Sequence, residues 1–185
     1  QILNNIKKGT IVPKIEQFVK DAKQEGILIH GCFMMGNRGE TKETIQKTVQ
    51  WAKKLDPDTA QFFPIMVYPG TEAFTWAKDN NFLKTTDWSQ WLLPDGTHNT
   101  IVSTDKLSAE DLVRECDKAR IAFYLRPEFA FRKLGQVIKN PIRETPRFLI
   151  STWIFSKYLA KEIKETLFSK PTSSDLAAQE LPMDK

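Results

Sequence analysis

The sequence predicts an α/β fold with parallel strands, followed by a purely helical extension. Residues 11–80 alternate between stretches with helical spacing of apolar residues and short apolar runs. Two of these runs, residues 27–35 and 60–67, have the length of strands and are nearly continuous, as in parallel sheets. From about Ser108 onward only helical patterns remain, so the sheet belongs to the N-terminal part of the chain.

The elements of the N-terminal part follow in order. A first helix begins near Pro13 and ends at Gly26, which suit the first turn and the C-terminus of a helix. Residues 27–35 predict a strand covered on both faces, with Cys32 as a small core side chain. A turn at 36–41 leads to a second helix, residues 60–67 form a second strand, and a turn at 68–71 leads to a third helix. Because two strands cannot form a stable sheet alone, we expect them to be the last part of a larger one.

The C-terminal part predicts helices alone. Ser108 and the acidic residues after it suit a helix N-terminus, and prolines at 127, 141 and 146 separate two further helical segments. The predicted organisation is therefore a sheet-containing part over residues 1–104, a helical extension over 105–168 and a disordered tail over 169–185.

Composition excludes several classes of protein. The 185 residues carry 27 Lys and Arg against 23 Asp and Glu, a formal net charge of +4. Bases and acids alternate along the chain, which indicates solvated helix faces and no nucleic-acid partner. The two histidines are far apart and the two cysteines are isolated, so they supply no metal-ligand spacing, and the cysteines suit a reducing, cytoplasmic compartment. The longest apolar run falls short of the roughly 20 residues that span a bilayer.

The two turns after the predicted strands are the candidate site. The first, residues 36–41, is no phosphate loop, because Asn37 and Arg38 stand where Lys and Ser or Thr are required. Both turns nevertheless lie at the carboxyl ends of strands, where α/β sheets bind ligands, and each contains a glycine that permits close backbone approach. The alternative is that both are tight connections with favourable turn chemistry.

At these residues the sequence resembles the radical S-adenosylmethionine (SAM) enzymes, most closely the subgroup with an N-terminal cobalamin-binding domain. The segments that carry the resemblance are 31–41, 57–62 and 68–72, together with the opening residues 1–10. The resemblance implies the C-terminal part of a partial (β/α)6 TIM-like barrel, with the two strands as its fifth and sixth. It also implies contacts to SAM, from the first turn and from the second strand and the turn after it: Met35, Gly36, Asn37 and Glu40, then Gln61, Phe63, Pro64 and Tyr68.

The family's reaction is the reductive cleavage of SAM to a 5′-deoxyadenosyl radical, with cobalamin-dependent methyl transfer in this subgroup. The Cys-x-x-x-Cys-x-x-Cys motif that binds the [4Fe–4S] cluster is missing from this sequence, and so is a cobalamin signature. We therefore expect a fragment whose cluster ligands and cobalamin domain lie outside it and which is inactive alone. Arg38 replaces a proline common in this turn, and Val67 replaces another before Tyr68. The implied partners are a small-molecule or lipid-like substrate and a reductant for the cluster.

Two alternatives remain at this point. The chain could be a non-catalytic α/β and helical interaction domain. Separately, the segment 146–168, expected to begin as a helix at Pro146, has a broad apolar surface flanked by Arg and Lys, as in helices that lie on membranes. Packing on its own domain is the interpretation we favour for a stripe of this length, with a peripheral membrane contact as the other.

Overall fold

The computed structural model describes residues 1–92 and 99–168, with the side chains of the last helix described as far as Ala160. The fold is mixed α/β and divides into two compact units, Gln1–Ala130 and the residues from Phe131 onward. In the described residues the elements are, in order: α1 (Ile2–Asn5), α2 (Val12–Gln24), β1 (His30–Met35), α3 (Lys42–Leu55), β2 (Thr59–Pro64), α4 (Glu72–Asp79), a 3-10 turn (Trp88–Gln90), α5 (Ala109–Tyr124), α6 (Pro127–Lys139) and α7 (Pro141–Phe168).

The two strands pair in parallel, as predicted, with His30 opposite Thr59 and Met35 opposite Pro64. One face of the pair is covered by α3 and α5, and its side chains form the core. On this face the rings of Phe33 and Phe62 stack with centroids 5.1 Å apart. The core cluster comprises Phe33, Met35, Ile45, Val49, Ala52, Ala60, Phe62, Leu107, Leu112, Cys116, Ala119 and Phe123.

The opposite face of the pair, called the open face below, is mostly exposed within the described residues, although Met34 is half-buried against a second apolar cluster that includes Ile65 and Ala77. The predicted cover on both faces is therefore only partial in the described residues. His30, Cys32 and Gln61 are exposed there. Because successive side chains of a strand point to opposite faces, Cys32 and Phe33 lie on different faces of the sheet. Cys32 is therefore exposed, and its prediction as a core side chain is wrong. The apolar run in the sequence is nearly continuous, but burial alternates along the strand because α3 and α5 cover only one face.

The two edges of the sheet differ. Along the outer edge of β2, the Tyr124 hydroxyl accepts a hydrogen bond from the Ala60 N–H at 2.9 Å and donates to the Ala60 carbonyl at 2.7 Å. Arg120 on the same helix, α5, donates to the Phe62 carbonyl at 2.9 Å. These side chains take the place of a further strand at β2. No strand among the described residues pairs with the other edge of β1.

The helix boundaries follow local chemistry. Thr41 caps α3 in a reciprocal capping box with Thr44, and the helix ends at Asp56, whose φ is +50°. Ser108 caps α5 by accepting the Asp111 N–H at 3.0 Å, as predicted. The start predicted at Pro146 is wrong, because α7 begins at Pro141 and Pro146 lies inside it. As the sixth residue of the helix, Pro146 forfeits one backbone hydrogen bond without ending the helix.

None of the helices in the described ranges combines the length and hydropathy that a membrane crossing needs. The tail predicted to be disordered, 169–185, lies outside the described residues.

Candidate functional site

Three separate segments of the chain meet at the carboxyl ends of the two strands. Asn5, at the end of α1, donates from Nδ2 to the carbonyl of Arg38 in the first turn at 3.0 Å. Lys7, just after α1, forms an exposed ion pair with Glu72 of the second turn, at 2.7 Å. The opening residues and the two turns, which together carry most of the resemblance stated above, are therefore neighbours in space.

A surface cleft of about 460 Å³ joins the two turns. Arg38 lines it from the first turn, and Gly70, Thr71 and Glu72 line it from the second. The remaining wall comes from α4 and the residue after it: Thr75, Trp76, Asp79 and Asn80. One cation and two carboxylates therefore face a shared cavity that a polar ligand could enter.

Glu40 holds the first turn together from inside. Its Oε2 accepts the backbone N–H groups of Gly36 at 2.6 Å and of Asn37 at 2.8 Å, and Glu40 itself is buried. Burial raises the pKa of the Glu40 carboxyl above its usual value, and the N–H donors from Asn37 and Gly36 partly offset this rise. The carboxylate therefore acts as an internal acceptor that fixes the backbone of the turn.

Asn37 completes the same network. Its Nδ2 donates to the carbonyl of Met34 at 3.0 Å and more weakly to Glu40 Oε2 at 3.3 Å. Its Oδ1 is buried and has no hydrogen-bond partner among the described residues. Since buried polar atoms are normally paired, this acceptor stands out as the one buried side-chain N or O atom of the described first turn without a hydrogen-bond partner.

The structure shows a packing role for Gly36 that the sequence did not suggest. Its φ is +95°, and a Cβ built there would lie 2.9 Å from a methyl carbon of Leu112 on α5 and 3.2 Å from Ile65. The absence of a side chain at Gly36 therefore lets α5 pack against the turn. Gly70, with φ +83°, has open space where its Cβ would stand, so it is the glycine at which a ligand can approach the backbone.

The sequence-predicted site residues fall into two groups. Met35 is fully buried on the covered face, where its Sδ lies 3.7 Å from Cys116 Sγ, and Gly36, Asn37 and Glu40 are buried with it. Met35 can thus offer a ligand only its backbone. The second group lies on or beyond β2: Gln61 is exposed, Phe63 and Pro64 are half-buried, and Tyr68 is 52% exposed.

The open face holds side chains that the sequence reasoning missed. By strand register Cys32 lies beside Gln61, Met34 lies beside Phe63, and His30 lies beside Thr59, on one face of the sheet. His30 Nδ1 is 2.7 Å from Thr59 Oγ1, within hydrogen-bond distance. The signal that could have found them is the period of two along a strand, counted from Gln61 and Phe63 back to their partners.

The described residues do not form a metal site. No group of three or more His, Cys, Asp or Glu among them could hold a metal ion. Cys116 is buried in the core, and burial raises its pKa to about 12, which disfavours the thiolate that a metal needs. Cys32 is exposed on the open face of the sheet, and α5, which carries Cys116, covers the other face.

No family model matches the chain. It is 35% identical over 147 residues to an uncharacterized methyltransferase of Pyrococcus horikoshii, a match that covers 77% of this chain and 31% of the relative. It is 23% identical over 151 residues to the bacteriochlorophyllide d C-8(2)-methyltransferase of Chlorobaculum tepidum, covering 82% of this chain and 31% of that protein. The chain is similar to methyltransferases.

A third relative matches a shorter stretch. The tRNA-2-methylthio-N(6)-dimethylallyladenosine synthase of Buchnera aphidicola is 36% identical over 75 residues, covering 40% of this chain and 17% of the relative. The chain spans about a third of the length of the two methyltransferases.

Proposed function

We propose that this chain is the C-terminal part of a radical SAM methyltransferase and that its two turns and open sheet face hold part of SAM. The observation that carries the proposal is the convergence of residues 1–10, 36–41 and 68–72 at the carboxyl ends of two parallel strands. Ligands of parallel α/β folds bind at that end of the strands. The similarity to methyltransferases supports the transfer of a methyl group as the reaction.

The edges of the sheet support a larger barrel. Side chains of α5 satisfy the outer edge of β2, so the sheet ends there, while β1 offers an edge to which an earlier strand can add. With α3 and α5 on one face and the other face mostly exposed in the described residues, the pair has the layering of a barrel wall, with α3 and α5 outside. In the proposed barrel Cys32, Met34, Gln61 and Phe63 face the interior.

The residues present fit SAM at several points. The Asn37 Oδ1 acceptor would be satisfied by a ligand N–H, and Gly70 leaves room for backbone contact. Phe63 and Met34 supply apolar surface to a ring system, and the Gln61 amide can donate and accept. When bound, SAM supplies the methyl group and, on reductive cleavage, the radical that activates a substrate. This chain's part is to bind the nucleoside, orient it and exclude water.

The same residues do not fit an iron–sulfur cluster. A [4Fe–4S] cluster needs several cysteine thiolates, and Cys32 and Cys116 are separated by the sheet. The proposal therefore assigns the cluster ligands, and likewise the cobalamin domain, to sequence outside this chain.

Titration of SAM into the protein that contains this chain, expressed from its complete reading frame, tests the proposal. Gln61→Ala removes an exposed amide from the open face, and we expect SAM to bind about three- to tenfold more weakly, the effect of one lost hydrogen bond. Gln50→Ala, on the exposed side of α3, is the matched control and should leave binding unchanged. Equal affinities for the two variants would contradict the proposed face. Transfer of a deuterated methyl group from SAM to a product, followed by mass spectrometry, tests the reaction itself.

A further inference from the structure

The positive charge of this chain is concentrated in its second unit. Residues 131–160 contain six Lys and Arg but one acid, Glu144, whereas residues 1–130 contain 17 of each sign. A neutral N-terminal unit is thus followed by two helices, α6 and α7, and residues 127–168 contain eight Lys and Arg against four Asp and Glu. Such a local excess attracts anionic surfaces.

Helix α7 exposes an apolar stripe on one side. Leu149 and Trp153 are four residues apart, as are Ile150 and Ile154, so these pairs lie side by side on the helix. Their exposed fractions are 56–60%. The other side of the helix is half-buried and contains Phe148, Phe155, Tyr158 and Leu159. The helix therefore buries one apolar side and leaves a second in water.

The cations in the described part of α7, as far as Ala160, lie on the exposed side with the stripe. Arg143 and Arg147 are exposed and precede Ile150 at helical spacing. Lys157 Nζ lies 3.8 Å above the ring of Trp153. Glu144 is half-buried, and its Oε1 lies 3.5 Å from Arg143 Nε and 3.5 Å from Arg147 Nη1, so one carboxylate partly neutralises these two arginines. An exposed helix face that combines aliphatic side chains, a tryptophan and cations matches the boundary between acyl chains and anionic headgroups.

Helix α6 repeats the pattern within the same unit. Phe131, Leu134 and Ile138 follow one another at helical spacing and are exposed, with Phe131 at 73%. Arg132 and Lys133, next to this stripe in sequence, are half-buried, whereas Lys139 at the end of α6 is exposed. Helix α6 thus adds exposed apolar side chains and one exposed cation.

We propose that the second unit docks on the surface of an anionic phospholipid bilayer, with the exposed face of α7 lying in the plane of the interface. The stripe enters the acyl boundary, and Arg143, Arg147 and Lys157 extend to the headgroups. A second copy of the chain is a poorer occupant, because its own cationic face would repel this one. RNA is also a poorer occupant, because the aliphatic side chains of Leu149, Ile150 and Ile154 cannot donate hydrogen bonds to phosphate groups. The proposal does not depend on SAM binding.

Sedimentation with vesicles tests the proposal on the full chain. We expect it to pellet with vesicles of phosphatidylcholine containing 30% phosphatidylglycerol at low salt, and to remain in solution with phosphatidylcholine alone. High salt should weaken the binding several-fold, because it screens the attraction between exposed charges. Absence of pelleting with anionic vesicles would overturn the proposal, as would binding that is equal for both lipids.

Variants separate the two contributions. Leu149→Ala with Trp153→Ala keeps helix propensity and should lower the partition coefficient at least tenfold, and Arg143→Gln with Arg147→Gln should do the same at low salt. Ile27→Ala with Leu28→Ala removes apolar side chains of equal exposure from the first unit and should have no effect. If the control pair weakens binding as much as the α7 pairs, the α7 face is not the docking surface.

Tryptophan quenching by brominated lipids gives a second readout. The chain has five tryptophans. We expect quenching by brominated anionic vesicles that Trp153→Phe abolishes and that Trp51→Phe preserves. Quenching that survives in Trp153→Phe, dimerisation through α7, or a preference for single-stranded RNA over anionic vesicles would each contradict the proposal.

Discussion

Replacing Glu40 with alanine tests whether a buried carboxylate holds the first turn. The substitution leaves the N–H groups of Gly36 and Asn37 without the acceptor that they share at 2.6 and 2.8 Å. A buried N–H without a partner costs about 1–3 kcal/mol, so the two together predict a loss of about 2–6 kcal/mol in the free energy of unfolding. Asn37 Nδ2 keeps its bond to the Met34 carbonyl and adds little to this loss.

Glutamine at the same position separates hydrogen bonding from charge. The Gln amide oxygen can accept both N–H groups, and the amide avoids the desolvation that raises the pKa of Glu40. We therefore expect the free energy of unfolding of Glu40→Gln to be within about 1 kcal/mol of the wild-type value at neutral pH, and Glu40→Gln to be much more stable than Glu40→Ala. Urea unfolding of the purified chain, followed by far-ultraviolet circular dichroism, measures both differences if the denaturant slope stays constant.

The pH dependence has a defined sign. A raised pKa means that the folded state holds the Glu40 proton more tightly than the unfolded state, whose value is near 4.5. The contribution of Glu40 to stability is thus present below that value and is lost as the pH rises through the raised pKa. Relative to Glu40→Gln, the wild type should lose stability as the pH rises from about 4.5 through the raised pKa of Glu40.

An exposed glutamate is the control. Glu25→Ala, just after α2, should change stability by less than about 0.5 kcal/mol. If Glu40→Ala is no more destabilising than Glu25→Ala, the hydrogen bonds of the turn do not stabilise it and the reasoning fails.

Three further predictions concern packing and cofactors. Gly36→Val should lower the free energy of unfolding in urea by several kcal/mol, because a side chain at φ +95° strains the backbone and collides with Leu112. Adding Leu112→Ala should relieve the collision but not the backbone strain, and a stable, fully folded Gly36→Val would contradict this packing. Tyr124→Phe should cost about 1–3 kcal/mol by leaving the Ala60 N–H and carbonyl unpaired at the sheet edge, and an unchanged urea midpoint would show that water replaces the hydroxyl there. Anaerobic reconstitution of the isolated chain should yield neither bound iron nor SAM cleavage, because the described residues supply no cluster ligand set, and stoichiometric iron would refute this.

The sequence was sufficient to predict the order of elements and the parallel pairing, because apolar period and turn residues encode them locally. The capping of α5 by Ser108 was predicted in the same way. Burial on the two sheet faces was not predictable from the apolar run, since it depends on which face α3 and α5 cover. Cys32 therefore looked like a core residue and is exposed.

The candidate site was likewise predictable only in part. Sequence reasoning found both turns, because glycines and strand ends mark them. It did not predict that Gly36 lies against Leu112, because that contact joins residues 76 positions apart. The hydrogen bonds of Glu40 fall within four residues and were in principle readable as turn chemistry, which was the alternative considered for this segment. Pro146 misled because a proline early in a helix costs one hydrogen bond and need not end it.

Hydrogen–deuterium exchange on the protein that contains this chain, expressed from its complete reading frame, tests the central proposal most directly. Exchange should be compared with and without SAM by mass spectrometry. We expect SAM to slow exchange in peptides that cover residues 36–41 and 61–72, and to leave the peptides of α2 unchanged. Unaltered exchange at both turns, at SAM concentrations that saturate binding, would show that SAM binds elsewhere and would contradict the account.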